Sequence, residues 1–174
     1  MNDIEIRDNL ISSFDLSNLK NNILDSSFPW YRRYVINPKD KDSESMCSNS
    51  ENYQLCHNFI GETSNSFPIR SEFVDYLNPI IKYINFISWQ RIKANFLPST
   101  SSIIKHGFHH DHDSENVKTS IFYLNTNNGY TEFEDGTKIE SIENRLVTFP
   151  SILKHTGTTC TDSSFRVVIN FNYF

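Results

Sequence analysis

Apolar residues recur at helical spacing along the first part of the chain and at alternate positions after Trp89. Leu16, Leu19, Ile23 and Leu24 mark one face of a helix over 15–25, with Asp15 at the N-cap and Phe28-Pro29 ending it. A second stripe, Phe73, Val74, Leu77, Ile80, Ile81 and Ile84, follows the candidate N-cap Ser71 and runs to about Phe86, with Pro79 placed to kink it. Between the two, the stretch 37–52 is rich in Ser, Asp, Lys and Asn with almost nothing apolar, which predicts a surface loop and a candidate lid. A second loop, 61–67, follows a short apolar piece around Leu55, Phe59 and Ile60.

Beyond Trp89 the period is two. Ile92, Ala94 and Phe96 oppose Arg91, Lys93 and Asn95, and further strands are predicted at 103–111, 117–125, 130–134, 137–141, 144–149, 153–157 and 164–173. Asn128-Gly129 and Asp135-Gly136 predict tight hairpin turns. In the last strand Phe165, Val167, Ile169, Phe171 and Tyr173 form an apolar face, while Arg166, Val168, Asn170 and Asn172 form a mostly polar one. Such a strand belongs in a barrel wall covered outside by helices and carrying its chemistry inside. The pattern therefore predicts an α+β, mainly β chain: a jelly roll with N-terminal helices packed on the outer face of one sheet. A single domain, 1–174, is expected, with 1–90 as helical support and loops and 91–174 as the jelly-roll core.

Composition narrows this reading. The 174 residues include 14 Phe and 8 Tyr, enough for one real core. A net charge of -5 and the lack of a basic stripe argue against a nucleic-acid partner. Cys47, Cys56 and Cys160 are odd in number and lack CxxC spacing, which predicts reduced thiols. No basic leader and no long apolar run occur, so a soluble cytoplasmic protein with no membrane partner is expected, in a host cytoplasm if virus-encoded.

The chemistry concentrates at His109-His110-Asp111-His112-Asp113, half of the 6 His of the chain in five positions. As a strand, this segment sends His109, Asp111 and Asp113 to one face and His110 and His112 to the other. A His-x-Asp pair on one strand can grip a single cation, and His155 is the only histidine downstream to complete a set. Two His and one carboxylate make the facial triad that holds non-haem Fe(II) with coordination positions left open.

His109-x-Asp111, His155 and Arg166 in that order resemble the Fe(II)/2-oxoglutarate-dependent dioxygenases. Ile121-Phe122-Tyr123-Leu124-Asn125, Gly129-Tyr130-Thr131-Glu132-Phe133 and Asn144-Arg145-Leu146-Val147-Thr148-Phe149-Pro150 resemble the prolyl 4-hydroxylase-like branch, over roughly 91–174. The whole chain is similar to the small stand-alone phage and bacterial members. The resemblance implies a double-stranded β-helix and a hydroxylase using Fe(II), 2-oxoglutarate and O2, with ascorbate as a candidate addition. It makes His109, Asp111 and His155 the catalytic metal ligands and Arg166 the partner of the far carboxylate of 2-oxoglutarate. Tyr123 adds a hydroxyl there, and Asn170 stands where relatives often have a hydroxyl residue beside the cosubstrate. Ser99 departs from the tyrosine that some relatives have at its place. The substrate implied is a peptidyl proline, with other peptides, proteins and small molecules open.

Two other readings compete. His110, His112 and Glu115 with His155 form a cupin-like ligand set if the strand runs in the other register. A non-catalytic jelly-roll module could also keep the site to bind metal or a partner. His57 and His106 read as surface or core-edge residues, and Arg145 as a solvated charge.

Overall fold

The computed structural model describes residues 4–34, 52–62 and 66–174. In chain order these form β1 (Glu5–Arg7), α1 (Ser13–Ile23), β2 (Tyr31–Tyr34), β3 (Tyr53–Glu62), β4 (Pro68–Arg70), a 3₁₀ turn (Glu72–Leu77) and α2 (Asn78–Ile81). Then follow β5 (Trp89–Pro98), β6 (Lys118–Tyr123), β7 (Asn127–Phe133), β8 (Lys138–Ser141), β9 (Arg145–Pro150), β10 (His155–Gly157) and β11 (Phe165–Tyr173). Most of the loop expected at 37–52, and Cys47 with it, lies outside the described residues. Cys56 and Cys160 are buried free thiols. No helix among the described residues is long and apolar enough to cross a membrane.

The helices start where their caps allow. Ser12, not Asp15, caps α1: the Ser12 hydroxyl accepts the Asp15 N–H and donates to the Asp15 carboxylate, a reciprocal pair that fixes the first turn. The second apolar stripe is not one kinked helix. Ser71 caps the 3₁₀ turn, and Pro79 sits in the first turn of α2, where a missing N–H breaks no intrahelical bond.

Eight strands form one antiparallel sheet in the order β1-β9-β6-β11-β5-β3-β2, with β4 paired to β3, and three form a second sheet, β10-β7-β8. Residues before Trp89 thus add four strands to the helices expected there. A register shift between Asn58 and Ile60 breaks the alternation of β3, which hides it as a short apolar piece. Leu16, Leu19 and Ile23 of α1 and Val74, Leu77 and Ile80 cover the outer face of the large sheet, against Phe59, Ile92, Ala94, Ile169 and Phe171. Between the sheets, Ile121, Tyr123, Val147 and Val168 meet Phe133 and Ile139. The two faces of β11 separate as its alternation predicts.

Two local expectations change. The segment 103–111 is not a strand; it meets the jelly roll through isolated bridges, Lys105↔Thr158 and His109↔His155. Asn128-Gly129 is a bulge inside β7, where the register against β8 shifts between Asn127 and Tyr130. Asp135-Gly136 does turn β7 into β8, with Gly136 at φ 88°.

Candidate metal centre

The His109↔His155 bridge is where the site begins. The backbone N–H of each residue donates to the carbonyl of the other, at 3.0 and 2.8 Å, so the two imidazoles stand side by side, tilted by 47° with ring centroids 4.7 Å apart. Asp111 is tied to the turn after β9 by its N–H on the Ser151 carbonyl, 3.1 Å. One ligand atom from each of His109, Asp111 and His155 lies within 4.8 Å of the others. His109 Nδ1 donates to the Gly107 carbonyl at 3.3 Å and His155 Nδ1 to the Leu153 carbonyl at 3.0 Å. Each imidazole is thereby held in the tautomer whose Nε2 lone pair can take a cation. Burial pushes the His155 pKa down against the pull of Asp111, keeping the ring in its neutral, ligating form.

Asp111 is 3% exposed at its side chain, and burial alone would favour its neutral form. The Arg91 charge above all, then the His155 and His109 imidazoles and the Asn172 amide, outweigh that and hold its pKa at about 2. Arg91 Nη2 donates to Oδ1 at 2.8 Å; Thr119 Oγ1 and Asn172 Nδ2 donate to Oδ2 at 3.0 and 3.1 Å. Arg91 Nε also donates to Asn172 Oδ1 at 3.0 Å, so the three groups around the carboxylate brace one another. The donor set of two imidazoles and one carboxylate, each oriented from behind, fits a divalent iron-type metal.

The other histidines are placed elsewhere. His110 Nε2 bonds the exposed Asp113 carboxylate at 2.6 Å, and His112 Nδ1 accepts the Ser114 N–H at 2.9 Å. Neither belongs to the cluster, nor does Glu115, so the cupin-like set is not assembled among the described residues. His57 is a core residue rather than a surface one, bonded to the Pro29 carbonyl and the Ser71 hydroxyl, both at 2.8 Å. Arg145 pairs with Asp8, away from the site.

A cavity of about 640 Å³ opens between the sheets onto His109, Asp111 and His155, and Arg166, Thr131 and Asn170 also line it. Arg166 is 2% exposed and has no carboxylate against it among the described residues. Its Nε donates to Ser141 Oγ at 2.7 Å and its Nη2 to Thr131 Oγ1 at 3.3 Å, leaving other N–H donors of the guanidinium unspent. A buried guanidinium without an anion is costly, and a carboxylate is what its fork fits. Tyr123 is fully buried beneath it, its hydroxyl donating to Thr131 Oγ1 at 2.8 Å. Thr131 Oγ1 therefore accepts twice, and its own proton is free for an anion in the cavity. The Asn170 Oδ1 is buried without a hydrogen-bond partner.

Sequence reasoning missed Arg91, Thr119 and Asn172 around Asp111, and Thr131, Ser141 and Gly129 around Arg166. Asn172 was legible only as a member of the polar face of the last strand, and Arg91 only as part of the alternation after Trp89. His106, expected at the surface or core edge, is half-buried on the cavity wall, and burial, then the charges of Arg166 and His109, push its pKa down to about 4.

No family model matches the chain, and no curated protein matches it. Solved structures do. A prolyl hydroxylase from Trichoplax adhaerens, in complex with a hypoxia inducible factor oxygen degradation domain peptide fragment, superposes with a TM-score of 0.68 at 16% identity, covering 100% of this chain and 84% of that one. A 2OG-Fe(II) oxygenase family oxidoreductase from Burkholderia pseudomallei gives 0.68 at 10% identity over 98% and 84%. The non-heme alpha-ketoglutarate-dependent epimerase SnoN from nogalamycin biosynthesis gives 0.67 at 8% identity over 99% and 78%. At these identities the likeness is one of fold: this chain has the antiparallel jelly roll of solved 2OG-Fe(II) oxygenases, with a His-Asp-His cluster inside it.

Proposed function

We propose that the protein is an Fe(II)- and 2-oxoglutarate-dependent dioxygenase that hydroxylates an unactivated C–H, with a peptidyl proline as the first substrate to test. The observation that carries this reading is Arg166: a buried cation lacking an acid, in the same cavity as a metal-competent triad. A prolyl hydroxylase with bound peptide among the fold neighbours supports a peptide substrate, and the buried reduced thiols support a cytoplasmic setting.

His109, Asp111 and His155 would hold the iron. When bound, the metal supplies the redox chemistry that couples decarboxylation of 2-oxoglutarate to succinate with hydroxylation of the substrate by O2. Arg166 takes the far carboxylate of 2-oxoglutarate through its planar fork, with Thr131 and Tyr123 supplying hydroxyls behind it and Asn170 an amide beside it. Ser141 fixes the plane of the fork, so binding orients the keto acid along the cavity toward the triad. The walls of Val168, Ile121 and Leu97 keep part of the cavity dry, which strengthens the Arg166 pairing.

The test is succinate release from 2-oxoglutarate by purified protein given Fe(II) and O2, with and without peptide and small-molecule libraries. His109→Ala, Asp111→Ala and His155→Ala should each abolish it with the circular dichroism spectrum retained, whereas His110→Ala and His112→Ala should keep most activity. Arg166→Ala should raise the 2-oxoglutarate KM far more than it alters metal affinity, and Arg166→Lys should recover part. Metal binding with no Fe(II)-dependent succinate under any of these conditions would favour the non-catalytic module instead.

A further inference from the structure

The inner face of the large sheet carries more positive charge than the proposed reaction uses. β5 turns Arg91, Lys93 and Asn95 into the cavity, and β3 adds Gln54 beside them. Asp111 is the only acidic residue among the described residues that line this cavity. It is spent on Arg91, at 2.8 Å. Lys154 is neutralised by Glu134 at 3.0 Å. Lys93 has no acidic partner among the described residues. In the sheet it stands opposite Asn58 on one side and Asn170 on the other, all neutral neighbours. Arg33 of β2 pairs with Gln54 and so stands on this face too. Burial pushes the Cys56 thiol pKa up, and Lys93, by its charge and a hydrogen bond, pulls against it, as do the charges of Arg33 and Arg91.

Loading the site does not remove the excess. The far carboxylate of 2-oxoglutarate takes Arg166 and Asp111 takes Arg91, which leaves Lys93 as the cation without an anion among the described lining residues. A half-buried cavity with an uncompensated cation repels a cationic ligand and attracts an anion.

We infer that the substrate is anionic, and that Lys93 binds its carboxylate or phosphate group at the inner face of β5. This rests on the dioxygenase reading and narrows its substrate class: a proline peptide that qualifies has an acidic or phosphorylated residue near the target. Lys93 is a specificity residue here. The chemistry at the metal does not need it.

The experiment fills the metal and cosubstrate positions with Mn(II) and N-oxalylglycine, an unreactive 2-oxoglutarate mimic, and measures binding of matched capped amino acids by NMR. One arm compares N-acetyl-aspartyl amide with N-acetyl-asparaginyl amide, the other N-acetyl-phosphoseryl amide with N-acetyl-seryl amide. The charged member of at least one pair should bind about tenfold or more tightly than its neutral partner, the weight of one charge-assisted hydrogen bond. The arm that shows the larger ratio names the anion. Lys93→Gln should erase the ratio while N-oxalylglycine binds as it does to the parent. Equal binding of charged and neutral members, no binding of any probe, or a loss of N-oxalylglycine affinity in Lys93→Gln would each overturn the inference, the last by placing Lys93 on the cosubstrate. A parent protein that takes no N-oxalylglycine would overturn the dioxygenase reading itself, which separates the two failures.

Discussion

A Cβ at Gly129 would lie 2.7 Å from Cδ of Arg166, and equally close to the backbone carbonyl of Thr159. The bulge in β7 therefore exists to let one strand pass against the arginine stem, and the Asn127 side chain, accepting the Gly129 N–H at 3.0 Å, closes the bulge from within. Because Thr159 contributes backbone, which cannot swing aside, a methyl here must displace Arg166. Gly129→Ala should cost about 1–3 kcal/mol of stability, as overpacking does. It should weaken 2-oxoglutarate binding by about tenfold or more, because a misaimed fork loses its bidentate fit. Calorimetric titration with Mn(II) present checks this, and unchanged affinity in a folded variant would remove Gly129 from the site.

Arg91 should behave as a positioning residue. It bonds Asp111 Oδ1 and Asn172 Oδ1 at once, so Arg91→Ala leaves the carboxylate braced from one side only. Loss of such support behind a metal ligand costs about 10- to 100-fold in metal affinity or activity. Arg91→Lys should recover less than half of the logarithmic loss, since a single ammonium cannot reach both partners. Metal affinity from Mn(II) titration and the 2-oxoglutarate KM are read together: a structural role alone would move stability but not the metal affinity.

Asn144 holds the N-terminal segment to the jelly roll. Its side chain accepts the Ile11 N–H at 3.0 Å and donates to the Ile11 carbonyl at 2.8 Å, while its backbone carbonyl takes the Leu10 N–H at 3.1 Å. Its φ of 65° is a conformation that Asn tolerates and Ala does not. Asn144→Ala should cost about 2–4 kcal/mol, from two lost buried hydrogen bonds plus the backbone penalty. Asn144→Gly should recover about 1 kcal/mol of that by relieving the backbone alone. Urea unfolding of the two variants measures the split; equal losses would mean that φ contributes nothing.

His57 sets an acid-side limit on stability. Its ring is packed against Phe28, Phe59 and Phe73, and burial lowers its pKa while the Pro29 carbonyl only partly offsets this. The folded protein thus takes up the proton at lower pH than the unfolded chain does. Its stabilising share is full above the unfolded value of about 6.5, falls as pH drops below it, and levels off only at the folded-state pKa. His57→Gln should flatten the fall in Tm between about pH 6.5 and 5 relative to the parent. Parallel Tm curves for the two proteins would show that His57 is not the group responsible.

What the chain determines by itself is whatever has a short period. Alternation placed Arg166, Asn170 and Asn172 on one side of β11, and the same alternation set His109 and Asp111 together against His110 and His112, even though 103–111 is an extended segment and not a strand. Side-chain direction follows the backbone locally, so a two-residue period survives the loss of ladder hydrogen bonds. The helix ends went partly astray because Ser12 and Pro79 act through hydrogen bonds within one turn that apolar spacing does not register. The tertiary structure decided the rest. The joining of β1 to β4 to the large sheet depends on partners far along the chain. So do the bracing of Asp111 by Arg91 and Asn172, 20 and 61 residues away, and the fit of Gly129 against Arg166. Sheet register sets each of these pairings, and register is a property of two strands together, so neither sequence alone carries it.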